Sequence, residues 1–173
     1  MGSVGAAEMT VDAPILLNDT HQLDAFSCGT QPLDDWLKRR ARGNAASGAS
    51  HTYVACDGGR VVGYYALAAG AVDVAAAPGR FRRNMPDPIP IVVLGRLAVD
   101  QTQQGTGLGR ALFRDAGLRV LQAAGIIGVR GVLVDAISDE AKAFYFALGM
   151  TISPIDPMVL MVTIHDLRAS AAV

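Results

Sequence analysis

Ile91-Val92-Val93-Leu94-Gly95-Arg96-Leu97-Ala98-Val99 leads, four residues on, into Gln104-Gly105-Thr106-Gly107-Leu108-Gly109-Arg110. The length and branched apolar content of the first run predict a buried strand. From Leu108 to Ala124, the residues Leu108, Leu112, Ala116 and Val120 recur at helical spacing. Strand, glycine-rich turn and helix together aim backbone N–H groups and the positive end of a helix dipole at one point, a natural phosphate cradle. Glycine suits such a turn because it adopts positive φ and lets a ligand approach the backbone closely. Two phosphate motifs fail here. A P-loop needs Lys-Ser/Thr after its last glycine, whereas Arg110-Ala111 follows. The dinucleotide pattern G-x-G-x-x-G breaks at Arg110, three residues after Gly107. What remains is Q-x-x-G-x-G, read as Gln104, Gly107 and Gly109, with an ordinary strand-to-helix turn as the alternative.

At 173 residues the chain fits one domain with a core that needs no disulfides. Hydrophobic residues make up 51%, yet no apolar run approaches the roughly 18 residues of a membrane span. Residues 1–13 and 168–173 are expected to be flexible tails around a single domain at 14–167, and the start lacks a signal-peptide pattern. Cys28 and Cys56 form no metal or redox spacing, and with three scattered histidines they point to a reduced, cytoplasmic protein without a metal. The net charge of −1 excludes a uniformly basic nucleic-acid binder, but the 15 cations are clustered. Lys38, Arg39, Arg40 and Arg42 form one group and Arg80, Arg82 and Arg83 another; only Lys38 and Lys142 are lysines. Arginine is the better bidentate partner for phosphate.

Ile15-Leu16-Leu17 reads as a first strand, and Asn18, Asp19 or Thr20 as the cap of a brief helix through Phe26. Thr30 is a candidate N-cap for an amphipathic helix with Pro32 in its first turn and Leu33, Trp36 and Leu37 on one face. Residues 44–50 read as a small-residue loop. Residues 52–56 and 60–69 form a hairpin across Asp57-Gly58-Gly59, and four prolines make 74–90 irregular. Residues 131–135 are a further strand, Ser138 or Asp139 caps a helix that Gly149 ends, and 158–162 is a last strand. An early hairpin and uneven alternation predict a mixed α/β sheet rather than a doubly wound one.

Ligands of parallel strand pairs sit beyond the strands' carboxyl ends, which would place Tyr145 near whatever the glycine loop holds. A neutral phenol, with an ordinary pKa of about 10, suits protonating a departing thiolate; packing beside Phe144 is the alternative. The Q-x-x-G-x-G turn resembles the acetyl-CoA pyrophosphate loop of the GNAT N-acetyltransferases. His21-Gln22-Leu23, Phe26-Ser27-Cys28-Gly29, Leu33-Asp34-Asp35-Trp36-Leu37, Gly63-Tyr64-Tyr65-Ala66-Leu67, Arg82-Arg83-Asn84-Met85-Pro86, Leu94-Gly95-Arg96-Leu97-Ala98-Val99-Asp100 and Phe144-Tyr145 narrow the resemblance. With them the chain is similar, from about Ile15 to Val162, to the acetyltransferase toxins of bacterial type II toxin–antitoxin modules.

That resemblance implies a GNAT fold: a mixed, mostly antiparallel sheet with a central parallel strand pair splayed around acetyl-CoA and flanked by helices. It implies acetylation of the α-amino group of aminoacyl-tRNA, a block on translation, a ribbon-helix-helix antitoxin and a homodimer. Carried to matching positions, Leu97, Ala98 and Val99 would present backbone groups to the pantetheine arm. Gln104, Gly105, Thr106, Gly107, Leu108, Gly109 and Arg110 would hold the pyrophosphate, with Ser138 and Phe144 also at the cofactor, and Tyr145 would be the general acid. Lys38, Arg39, Arg42, Arg82, Arg83 and Arg96 would meet tRNA, although a basic helix face is by itself more often simply solvated. Asp135 departs from the pattern, since relatives often carry histidine there. The competing readings are an acetyltransferase for a small-molecule or protein amine and a degenerate acetyl-CoA-binding module acting through partner contacts. The arginines oppose a polyamine substrate, and the intact loop with Tyr145 opposes the module.

Overall fold

The computed structural model of the protein describes residues 10–171. Its strands are β1 (Ile15–Leu16), β2 (His51–Asp57), β3 (Arg60–Val72), β4 (Ile89–Val99), β5 (Gly131–Asp135), β6 (Thr151–Ile152) and β7 (Val159–Thr163). They form one seven-stranded sheet in the order β1-β2-β3-β4-β5-β7-β6. β1 with β2, β5 with β7 and β6 with β7 are antiparallel, while β4 and β5 run parallel, pairing Val92 with Val132 and Val93 with Leu133. The helices are α1 (Gln31–Arg39), α2 (Ala41–Ser47), α3 (Gly79–Arg82), α4 (Leu108–Ala124), α5 (Asp139–Ala147) and α6 (Ile164–Ala171). This is the mixed α/β sheet that the alternation predicts.

The described chain divides into two compact units, residues up to 66 with 96–113, and residues 67–95 with those from 114 on. In the first, α1 covers a core of Phe26, Trp36, Leu37, Ala41, Val54, Val61, Tyr64 and Ala98. Trp36 stacks on Tyr64 at 6.0 Å, and Phe26 meets the same ring edge-on at 5.5 Å. The buried Tyr64 hydroxyl donates to Leu33 O at 2.6 Å, so the phenol is satisfied while its ring is buried. Gly58 and Gly59 take positive φ of 58° and 84° in the turn between β2 and β3, as the hairpin reading requires. Gly63 of β3 lets α4 settle: an added Cβ would lie 3.0 Å from Leu112 Cδ1 and 3.1 Å from Leu108 Cδ2.

Three expectations need correction. Residues 18–26 form turns, not a helix. Asn18 Oδ1 accepts from Thr20 N at 2.9 Å, and Arg42 Nη2 takes the carbonyls of Asn18 and His21 at 3.1 and 2.8 Å, oxygens a helix would use internally. His21 Nδ1 accepts from Asn18 N at 3.0 Å, and burial together with the Arg42 charge lowers its pKa, which favours that acceptor form. Residues 44–50 are not all loop, because α2 extends to Ser47, its alanines being strong helix formers, and Gly48 closes it at φ 81°. The stretch 74–90 contains α3 and the start of β4. Beyond the expected domain bounds the described chain continues. Val11 bridges Asp57, Asp12 N donates to Cys56 O at 2.8 Å, and α6 reaches Ala171. The rest of the expected tails, 1–9 and 172–173, lies outside the described residues.

In the second unit Val72, Ala77, Phe81, Ile89, Ile91 and Met161 form the core. Gly131 opens β5 where no side chain fits, since a Cβ would run into the Val162 carbonyl oxygen and lie 2.8 Å from Phe81 Cε2. Gly131→Ala should therefore cost about 2–4 kcal/mol, by overpacking and by spoiling the β5–β7 ladder. Urea denaturation measures it; an unchanged midpoint would mean that the ladder yields without cost.

Candidate active site

β4 is followed by Asp100, whose carboxylate is buried at 3% exposure. Oδ1 accepts from Thr102 N at 3.0 Å and Thr102 Oγ1 at 2.8 Å, winding residues 101–103 into one 3₁₀ turn, while Oδ2 accepts from Ser27 N at 2.9 Å. Burial pushes this carboxyl up, but the hydrogen bonds from Ser27 and Thr102 and the charge of Arg60 outweigh it and hold the pKa below the usual range. Gln104 Nε2 donates to Cys28 O at 2.7 Å and to Val99 O at 2.9 Å. Gly105 and Gly107 have φ of 79° and 90°, and an added Cβ at either would meet nothing within 4 Å. The turn is thus open on the side where a Cβ would point. It runs directly into Leu108, the first residue of α4, whose opening N–H groups have no carbonyl four residues back to bond. Arg110 is exposed one turn along. A cradle of glycines, opening N–H groups and a nearby guanidinium fits a diphosphate.

Leu97 and Val99 are half-buried and Ala98 is buried. In the same unit, the Arg96 guanidinium lies 4.4 Å over the Trp36 ring, a cation–π contact that orients the charge. Lys38 and Arg39 are exposed on α1. Arg42 is committed to the turn at 18–21, with Asp19 Oδ1 also 4.0 Å from its Nε. Cys28 and Cys56 are free thiols, both pushed up by burial, Cys28 to about 11, so neither is a ready nucleophile.

The second unit contains the remaining positions. Ser138 caps α5, its Oγ accepting from Ala141 N at 3.1 Å, and Asp139 and Glu140 follow in the first turn. Phe144 packs edge-on against Tyr145, with centroids 5.1 Å apart at 72°. Tyr145 is 7% exposed, and burial raises its pKa to about 12. Asp135 is exposed at the end of β5. Arg82 and Arg83 are exposed, whereas Arg80 grips Asp166 through Nε at 3.0 Å and Nη2 at 2.7 Å. Among the described residues no cluster of His, Cys, Asp or Glu could hold a metal ion, and no helix is long and apolar enough to cross a membrane.

A family model described as an acetyltransferase (GNAT) domain matches residues 48–150. The chain belongs to the GNAT acetyltransferase family. It is 52% identical over 157 residues to a "tRNA-acetylating toxin" of Mycobacterium tuberculosis, covering 91% of this chain and 95% of the relative. Among solved structures it resembles AtaT complexed with acetyl-methionyl-tRNAfMet, with a TM-score of 0.85, 27% identity and coverage of 92% and 98% of the two chains. It also resembles a tyrosine-to-phenylalanine mutant of AtaT bound to the C-terminus of the antitoxin AtaR, with a TM-score of 0.81, 25% identity and coverage of 93% and 98%.

A phenol of ordinary pKa is already protonated at neutral pH, and the burial of Tyr145 widens that margin. The unfolded chain releases this proton near 10 and the folded chain near 12, so the contribution to stability is complete below pH 10 and is lost as pH rises through that window. What the sequence reading missed is the bracing of the loop by Asp100 and the Gln104 side chain. The Asp100-x-Thr102 spacing of an Asx turn was a local signal for half of it. Tyr145→Phe should keep acetyl-CoA affinity and slow acetyl transfer by about 10²–10⁴-fold. Calorimetry with single-turnover kinetics tests this; transfer at the parent rate would make Tyr145 a packing residue.

Proposed function

We propose that this GNAT acetyltransferase is the toxin of a toxin–antitoxin module, transferring acetyl from acetyl-CoA to the α-amino group of an aminoacyl-tRNA and so blocking translation in the cytoplasm. The observation that carries the reading is the 52% identity to a tRNA-acetylating toxin over nearly the full length of both chains. The neighbour holding acetyl-methionyl-tRNAfMet supports the substrate class, and the neighbour holding an antitoxin segment supports the partner. A ribbon-helix-helix antitoxin and a homodimer complete the proposal.

Residues 104–110 would hold the diphosphate through main-chain N–H groups, and Leu97, Ala98 and Val99 would receive the pantetheine arm. Bound acetyl-CoA supplies an activated acetyl thioester. An α-amino group has an ordinary pKa of about 7.7–8.0, so a useful fraction is neutral without a dedicated base, unlike a lysine amine near 10.4. Backbone N–H groups of β4 would stabilise negative charge on the reacting carbonyl oxygen, and Tyr145 would give its proton to the departing sulfur. Ser138, with its hydroxyl committed to the α5 cap, would contribute through the backbone, and Phe144 through its packing on Tyr145.

The deciding experiment incubates the enzyme with acetyl-CoA and charged tRNA, then digests the RNA for mass spectrometry. N-acetyl-aminoacyl-adenosine is expected; acetylation confined to free amines or protein lysines would overturn the reading. Gly107→Glu should abolish acetyl-CoA binding in calorimetry while leaving the fold intact, because a carboxylate would occupy the open side of the turn. For RNA, the exposed pairs Lys38 with Arg39 and Arg82 with Arg83 are the sharper probes, with Arg96 third. Arg42 is less informative because its loss also loosens the turn at 18–21. Each phosphate contact removed should lower the log–log salt slope by roughly 0.7–0.9 without changing acetyl-CoA affinity. Unchanged slopes would exclude direct phosphate contact, and weakened antitoxin binding in the same variants would assign these cations to the protein partner.

A further inference from the structure

A turn with glycines at positive φ has unusual backbone freedom, and a loop that must order itself on binding forfeits affinity. Residues 104–107 are exposed, so burial does not hold them. Beyond the local bonds of Gln104 Nε2 to Val99 O and of Thr106 Oγ1 to Gln103 O, the turn is braced by ties from residues 100–104 to one distant segment, residues 27–29. Ser27 N donates to Asp100 Oδ2 at 2.9 Å, and Gln101 N returns a bond to Ser27 O at 2.9 Å. Gln104 Nε2 reaches Cys28 O at 2.7 Å. Gly29, at φ 93°, lies against Gln101, where an added Cβ would come within 3.1 Å of Nε2. Cys28 N in turn donates to Asp34 Oδ1 at 2.9 Å, extending the ties to the first turn of α1. Asp100 is the one buried carboxylate among the described residues. Burying a carboxylate is costly, and a well-packed neutral residue would serve stability at least as well. Its two oxygens nevertheless do separate jobs, one winding the 3₁₀ turn and the other fastening Ser27.

We infer that Asp100 and the Gln104 side chain are positioning groups for acetyl-CoA, clamping residues 27–29 to the turn after β4 and so holding the loop N–H groups pre-arranged for the diphosphate. This rests on the reading of residues 104–110 as the diphosphate loop. Neither side chain needs to touch the ligand, since both act through the backbone they restrain. Asparagine matches aspartate in shape but places an NH₂ where one oxygen accepted, so Asp100→Asn faces either Ser27 N–H or the Thr102 donors with a second donor.

The test compares acetyl-CoA with acetyl-pantetheine, which keeps the thioester arm and lacks the nucleotide diphosphate. In full-length Asp100→Asn, calorimetry should show acetyl-CoA bound about tenfold more weakly. KM for acetyl-CoA should rise in parallel, with kcat at saturation and turnover of acetyl-pantetheine unchanged. Unaltered acetyl-CoA affinity, or an equal loss with both donors, would overturn the inference, the second outcome marking Asp100 as general support for the fold. Should Asp100→Asn fail to fold, Thr102→Val, which removes one donor to the same carboxylate, decides by the same comparison, with a smaller loss in the same direction. Gly107→Glu is the reference. Binding lost there but intact in Asp100→Asn overturns the clamp alone, whereas binding intact in both overturns the loop reading beneath it.

Discussion

Gly63 presents only hydrogen to α4, and Leu108 and Leu112 occupy the space this leaves over β3. Leu108 is also the first residue of the helix, so the contact fixes where the helix begins and where its unbonded N–H groups lie. The spacing of the preceding turn follows from it. Val99 ends β4, Asp100 is tied to Val62 O at 2.8 Å, and the chain has eight residues in which to reach Leu108. A turn so confined at both ends calls for glycine, and Gly105 and Gly107 adopt the positive φ that other residues resist. Close packing of one helix on one strand thus fixes the position of an open glycine turn at a helix start.

Charge is distributed in keeping with that turn. Several of the arginines are spoken for by the fold: Arg42 by two carbonyls, Arg80 by Asp166, Arg119 by Asp115, and Arg130 by the carbonyls of Phe81 and Arg80. Lys38, Arg39, Arg82, Arg83 and Arg110 stand exposed. A net charge of −1 therefore conceals a set of exposed cations, Arg42 and Arg80 among them although each is bonded within the fold. The buried titratable groups tend to the neutral form. Burial raises the pKa values of Tyr145 and both thiols, and lowers that of His21. Asp100 is the exception, held charged by the hydrogen bonds it accepts.

Where local rules act alone, the sequence was legible. The strand at 91–99, the helix from Leu108, the β2–β3 hairpin, and the helix that Ser138 caps all appear as periodicity and turn chemistry predict. Leu94-Gly95-Arg96-Leu97-Ala98-Val99-Asp100, the glycine loop and Phe144-Tyr145 were enough to suggest the family. One departure comes where a distant partner outbids a local preference. Residues 18–26 have helix-start residues, yet Arg42 takes their carbonyls. α2 spans small residues that read as a loop, although packing on β2 keeps it helical. α6 was overlooked despite Thr163-x-x-Asp166, in which Thr163 Oγ1 accepts from Asp166 N at 3.0 Å.

By itself the sequence determined the chemistry on offer: a glycine turn at the start of a helix, a tyrosine on the next helix, arginines in two groups, and no thiol–imidazole pair at a catalytic spacing. Each is a property of residue type and spacing over a few positions, which short-range backbone sterics translate directly into shape. Only the tertiary structure decided which arginines stay exposed, that burial raises the Tyr145 pKa, and that Ser27 meets a carboxylate 73 residues away. Those facts depend on what the whole chain brings next to a given atom, and on how much water that leaves around it. Desolvation and long-range hydrogen bonding have no periodicity for a sequence to display.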